Sequence, residues 1–392
     1  MKNSLVLLAL THFLAGAAVP DRPAADKPEH VILFVIDGLS YKVWDKLAIP
    51  TLRILAQEGT RVEKDFLPPP AHPRTGAYAE LHSCSIPNPI MMAGTLFISR
   101  QTTYLHQCFP PSATAFVVNS TAYPTLADGY GHVYQKNGPD ATSVHAALDI
   151  MKSFRPRFLR IHLQNTGSAG SECLSTDKDV AWRNNIWAVD SPYRLAAERA
   201  DSLLGVFISG LRQLGVLGKC AVLVVGDHGQ DDGGWHPLQL PDGAITTMVL
   251  WGKGIRKGVT IPYAEHIDIV PTLCALAQVD VPKSSQGQVM AEALENSPGP
   301  ITARKITVRE LNEQLRSFNK VVISVVNSIE QLPETKQGRY YFRLEGVKQE
   351  FYDIGRFTEW PRFKDLEELY TNNRTALTKL QNLRADLDRI RN

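Results

Sequence analysis

The chain has 392 residues, of which 44% are apolar and 21% charged, and its formal net charge is +2. Such a composition excludes disordered, collagen-like and coiled-coil chains and predicts a sizeable buried core. The near-neutral charge carries no nucleic-acid-binding signal, and the length suits one large domain with a smaller one attached.

Lys2 precedes an apolar run from Leu5 to Ala18 that contains the small residues Ala15-Gly16-Ala17. This is the pattern of a secretory signal peptide, expected over residues 1–18. The run is too short to span a bilayer, and nothing later approaches ~20 apolar residues. The expected product is secreted or periplasmic, with no membrane span after signal cleavage. Val31 to Ile36 is a continuous apolar, β-branched run that stops at Asp37-Gly38, which predicts a buried parallel strand with an acid at its tip. Arg157 to Leu163 is a further candidate strand. Ser191-Pro192 predicts a helix start, and apolar residues recur near every 3.6 positions at Tyr193, Ala197, Ala200, Leu204, Phe207, Leu211 and Leu214. Ala221 to Val225 repeats the strand-then-acid pattern and closes in Gly226-Asp227-His228-Gly229. Thr246 to Trp251 is a fourth strand.

Strands alternating with helices predict an α/β fold, a mostly parallel sheet sandwiched by helices. The core is expected over residues 28–290. A polar stretch after Pro282 leads to a small C-terminal α+β subdomain over residues 298–392. There the segments Val321 to Val326 and Tyr340 to Leu344 precede an amphipathic helix carrying Leu377, Leu380, Leu383, Leu387 and Ile390. Five cysteines without CxxC spacing predict mostly buried thiols with room for one bridge. Asn119 and Asn373 head glycosylation sequons.

In open α/β sheets, ligands bind beyond the carboxyl ends of the strands, which is where Asp37 and Asp227-His228 fall. Carboxylates and an imidazole there suit a divalent cation. Between them, His82 to Pro89 introduces an apolar, Met-rich segment. A hydroxyl at a helix start beside a metal would be activated toward its alkoxide.

Taken in order, these segments resemble the alkaline phosphatase superfamily, in its nucleotide pyrophosphatase/phosphodiesterase and sulfatase-like branch. Val35-Ile36-Asp37-Gly38 resembles the first metal-ligand strand. Ser85-Ile86-Pro87-Asn88 is similar to the phosphodiesterase nucleophile segment, and Gly226-Asp227-His228-Gly229 to the Asp-His-Gly motif. His266 to Leu273, and Phe351-Tyr352-Asp353-Ile354 with the Leu-rich helix after it, look like sulfatase segments. The resemblance implies hydrolysis of a small-molecule phosphate mono- or diester through a covalent Ser85 intermediate, with Asn88 as an oxyanion-type donor. It also implies a metal held by Asp37, Ser85, Asp227 and His228, with His236 as a further ligand. Zinc is the implied ion, in one or two copies, with calcium or manganese as alternatives.

The chain departs from the family pattern in three places. Gln164 to Ser171 stands where the second metal's Asp and His are expected and contains neither. Pro89 stands where sulfatases carry an Arg, and Cys84 competes with Ser85 for the nucleophile position. A sulfuric ester hydrolase is therefore one alternative, and a degenerate, non-catalytic ligand binder is another.

Overall fold

The computed structural model describes residues 27–67, 103–123, 126–236, 240–282, 285, 287–297, 306–353, 356, 359, 362–363 and 366–391. The expected signal peptide, the nucleophile segment and the start of the C-terminal subdomain lie outside these residues.

One sheet contains nine strands among the described residues: β1 (His30–Ile36), β2 (Thr60–Phe66), β3 (Thr114–Val118), β4 (His132–Gln135), β5 (Phe158–Leu163), β6 (Cys220–Gly226), β7 (Ile245–Gly252), β8 (Val259–Ile261) and β9 (Ala264–Glu265). The order is β4-β3-β5-β1-β6-β7-β2-β8, with β9 paired to β2. The strands β4, β3, β5, β1 and β6 are mutually parallel, and β7 runs antiparallel to both β6 and β2. The helices of eight or more residues among the described residues are α1 (Pro50–Gln57), α2 (Asp140–Ser153), α3 (Asn165–Ser175), α4 (Pro192–Gln213), α5 (Ile269–Ala277), α6 (Val308–Glu330), α7 (Glu334–Glu350) and α8 (Leu366–Arg391). This is the expected mostly parallel α/β sandwich.

Every residue of β1 is buried, because the strand lies at mid-sheet with helices over both faces. Its alternation divides the core. Ile32, Phe34 and Ile36 pack with Val144, Ala147 and Met151 of α2 and with the α4 stripe of Tyr193, Ala197, Ala200, Leu204, Phe207 and Leu211. Val31, Leu33 and Val35 face the other way and pack with Ile269, Val270, Leu273 and Cys274 of α5. At about 1.5–3 kcal/mol per large buried apolar side chain, these two layers are the main support of the strand tips. Pro192 occupies the first turn of α4, where its missing N–H costs nothing.

Among the described residues, every regular element of the C-terminal region is a helix, which corrects the α+β expectation. Val321 to Val326 lies inside α6 and Tyr340 to Leu344 inside α7. Leu311, Leu315, Phe318, Val325 and Ile329 recur at helical spacing and are buried against Leu380, Leu383 and Leu387 of α8. That longer period outweighs the local β-branched run. Thr307 starts α6 with a capping box: Glu310 N–H donates to its hydroxyl at 3.2 Å, and its own N–H donates to Glu310 at 2.8 Å.

Both sequon asparagines are buried. Asn119 donates to Gly138 O and Asp140 Oδ1, each at 2.9 Å, and Asn373 donates to Tyr352 O at 3.0 Å. The folded chain therefore presents neither amide for glycosylation.

His106 stacks on Tyr130 with ring centroids 4.2 Å apart. Burial, aided by the Arg160 charge and opposed by a hydrogen bond with Asp128, pushes its imidazole down to about 4 from the ordinary 6.5. The unfolded chain therefore binds this proton at a higher pH than the folded chain does. Stability is fully present above about 6.5 and falls as pH drops toward 4. His106→Phe keeps the stack and should flatten that fall, as read from urea midpoints at neutral and mildly acidic pH.

Candidate metal centre

Three parallel strands end at the same level. Ile36 of β1 pairs with Leu163 of β5 on one side and with Gly226 of β6 on the other. The next residues along these strands, Asp37, Gln164 and Asp227, therefore emerge side by side at the carboxyl edge of the sheet. The chain can turn there because Gly38 takes a φ of +65°. A β-carbon at that glycine would also press on Gln230 Oε1, at 2.7 Å. Gly38 N–H donates to Asp227 Oδ1 at 2.9 Å. The turn itself is held by Tyr193, whose hydroxyl donates to Gly38 O at 2.8 Å and accepts from Ser40 N–H at 3.0 Å.

Asp37, Asp227 and His228 each offer a ligand atom within 4.8 Å of the others. Asp227 and His228 are buried and Asp37 is half-buried. His228 Nδ1 lies 2.8 Å from Gly229 O. A carbonyl only accepts, so Nδ1 carries the proton and the Nε2 lone pair is left for an ion. That Nε2 lies 3.7 Å from both Asp37 Oδ1 and Asp227 Oδ2. Two carboxylates and a correctly tautomerised imidazole, backed by packing, fit a divalent cation that accepts mixed oxygen and nitrogen donors.

Gln164 links the neighbouring polar groups. Its Nε2 donates to Asp37 Oδ2 at 3.0 Å and to His162 Nε2 at 2.8 Å, and its Oε1 accepts from the Tyr123 hydroxyl at 2.6 Å. His162 is fully buried, and desolvation pushes it down to about 3 despite the nearby Asp227 charge. It is therefore a neutral acceptor at this position. Gly167, in the first turn of α3, lies so close to Asp37 that a β-carbon there would overlap the carboxylate.

A salt-bridged clamp holds the surrounding loops. Lys42 Nζ donates to Asp232 Oδ1 and Asp242 Oδ2, each at 2.8 Å. Trp187 Nε1 joins at Asp232, 2.7 Å away, and Tyr41 donates to Asp242 at 3.1 Å. Burial lowers the Lys42 amine, but its two carboxylate partners more than offset this and bring it up to about 12. The clamp ties the loop after β1 to the β6–β7 connection that carries His228 and His236.

The structure thus brings together Asp37, Asp227 and His228 of the expected residues. The ring of His236 stacks on Trp235 at 4.2 Å and lies 4.4 Å from the His228 ring, beside the three-residue group rather than within it. Ser85, Asn88 and Cys84 lie outside the described residues. Sequence reasoning did not find the role of Gln164 as the partner of Asp37. The available signal was its place one residue past a strand, the same place that Asp37 and Asp227 occupy. His266, at the start of the sulfatase-like segment, bonds through Nδ1 to Asp65 Oδ2 at 2.6 Å in a fully buried pair.

The sulfatase family profile matches residues 90–279. Arylsulfatase K of Xenopus laevis is 28% identical over 121 residues, which are 30% of this chain and 22% of that protein. The match thus spans about a fifth of that curated relative's length. Among solved structures, a phosphonate monoester hydrolase from Silicibacter pomeroyi superposes with a TM-score of 0.58 at 14% identity, covering 71% of this chain and 78% of that one. A Vibrio parahaemolyticus protein described as belonging to the alkaline phosphatase superfamily gives 0.51 at 16% identity, covering 68% and 71%. The chain shares the fold of these two solved proteins, and a segment matching the sulfatase profile runs through its core. No helix of the described residues is long and apolar enough to cross a membrane.

Proposed function

We propose that this chain is an extracytoplasmic, metal-dependent hydrolase of small anionic esters, with Ser85 as nucleophile and a phosphate mono- or diester as substrate. The observation that carries the reading is the convergence of Asp37, Asp227 and His228 at the carboxyl edge of the sheet. These three residues would hold the ion, with Ser85 completing the set. When bound, the ion would supply positive charge to the ester oxygen and lower the pKa of a coordinated hydroxyl. The protein's own part is to present Nε2 of His228, whose Nδ1 is held by Gly229 O, to hold Asp37 through Gln164, and to offer Asn88 as a donor to a non-bridging oxygen. The imidazole ligand favours zinc or manganese over calcium, which takes all-oxygen shells.

A single ion is the arrangement these residues support. At the level where a second carboxylate would stand, Gln164 offers an amide, which donates to Asp37 instead of binding a cation. His236→Ala tests this directly. Unchanged metal content by elemental mass spectrometry is expected for a one-ion centre, and loss of one equivalent would establish a second. The residue 1–18 signal segment and the division into a 28–290 core and a 298–392 subdomain belong to the same proposal.

A second reading, sulfuric ester hydrolysis, is supported by the sulfatase profile match and the arylsulfatase relative. The two separate in one assay set: purified protein with p-nitrophenyl phosphate, bis(p-nitrophenyl) phosphate and p-nitrophenyl sulfate. Phosphate turnover lost at least ~100-fold in Ser85→Ala supports the first reading. Sulfate turnover together with formylglycine at Ser85 or Cys84 supports the second. Metal binding with no turnover on any of the three would leave a ligand binder.

A further inference from the structure

The metal centre uses none of the cysteines among the described residues, and two of those lie together at the opposite edge of the sheet. Cys108 ends the short turn Leu105–Cys108 before β3, half-buried, with its thiol 3.7 Å from the Tyr104 carbonyl. Cys274 lies on α5 and is buried. The two thiols are in hydrogen-bonding contact, and Cys108 packs against the core cluster that contains Cys274.

A third side chain fixes the approach of the two segments. The Arg157 guanidinium sits 5.4 Å over the Phe109 ring, next in sequence to Cys108, and donates to Ala277 O of α5 at 3.1 Å. Val279 N–H closes the end of that helix on Cys274 O at 3.1 Å. Both backbones are therefore held where their side chains meet. Cys173 and Cys220 belong to the other face of the sheet, against Ser191 at 3.4 Å and Val216 O at 3.3 Å. Among the described cysteines, Cys108 and Cys274 form the pairing that the geometry presents.

We propose that Cys108 and Cys274 form a disulfide when the chain meets an oxidising thiol buffer, pinning α5 to the loop before β3. Oxidised glutathione represents the class of oxidant required. The partly exposed Cys108 thiolate attacks one glutathione sulfur and releases a glutathione thiol. Cys274 then loses its proton, attacks the mixed disulfide at Cys108 and releases the second glutathione. The two protein thiols lose two protons and two electrons, and one glutathione disulfide becomes two thiols. Contact with Cys274 lowers the Cys108 pKa, which favours it as the first attacker.

The test uses the full chain, purified reduced, equilibrated in a glutathione redox buffer, acid-quenched, alkylated while unfolded and digested without reductant. The expected result is one linked peptide pair containing Cys108 and Cys274, two hydrogens lighter than the separate peptides. The thermal midpoint should also rise by several degrees on oxidation in the parent and not in Cys108→Ser. Alkylation of both residues, a stable glutathione adduct at Cys108, or a Cys108–Cys84 link would each overturn the proposal.

Discussion

Asp37→Ala is expected to empty the metal centre and lower ester turnover by at least ~100-fold, since even residues that merely orient metal ligands cost 10–100-fold when removed. Asp37 is one of three donors, and the other two cannot compensate. Asp227 is committed to Gly38 N–H through one oxygen, and His228 is fixed by its bond to Gly229. The fold should survive, because Asp37 lies past the end of β1 and contributes to neither core layer. The checks are metal per chain by elemental mass spectrometry, turnover, and the thermal midpoint in chelator. Full metal content in the variant would sink the ligand assignment.

Gly167→Ala should reach nearly the same result by a different route. In an ordinary helix this change is stabilising by roughly 1 kcal/mol. Here the new β-carbon overlaps Asp37 Oδ1 and sits within contact of its carboxyl carbon. Asp37 has little room to retreat, since its other oxygen is bonded to Gln164 and its N–H donates to Leu163 O at 2.9 Å. The carboxylate must rotate out of the three-ligand group. We expect metal affinity to fall by 10–100-fold with the urea midpoint of the metal-free protein nearly unchanged. Ser168→Ala, at the exposed neighbouring position, should leave affinity as it was. Equal affinity in both variants would show that Asp37 does not need its place beside Gly167.

Much of this arrangement was legible in the sequence for a physical reason. Strands buried on both faces read as largely apolar runs, so β1 and β6 were visible as unbroken ones. β5 and β7 were visible as runs interrupted by Arg160 and His162 or by two threonines, and α4 was visible by its period. The direction of β7 was not. A strand flanked on both sides has the same composition whichever way it runs. Nor were β2, whose Thr60–Phe66 segment mixes charge with apolar residues, or β4, a four-residue edge strand. Val321 to Val326 misled because six residues sample less than two helical turns, and only the spacing across all of α6 shows the buried stripe. In the site, an acid directly after an apolar run is a strong cue, and it located Asp37 and Asp227-His228. Gln164 carries no such cue. A neutral amide has no ligand chemistry to advertise, and its importance comes from strand register alone.

The donors of this centre lie on two strands that touch only once the sheet has assembled, with most of the core's sequence between them. An unfolded chain cannot chelate as they do. Any ion they capture therefore binds the native state alone and lends its binding energy to folding, about 2.7 kcal/mol when free ion is a hundredfold above its dissociation constant. The free-ion level around the chain would then set how much of it persists against unfolding and proteolysis. Metal supply would govern the abundance of this protein as well as its rate.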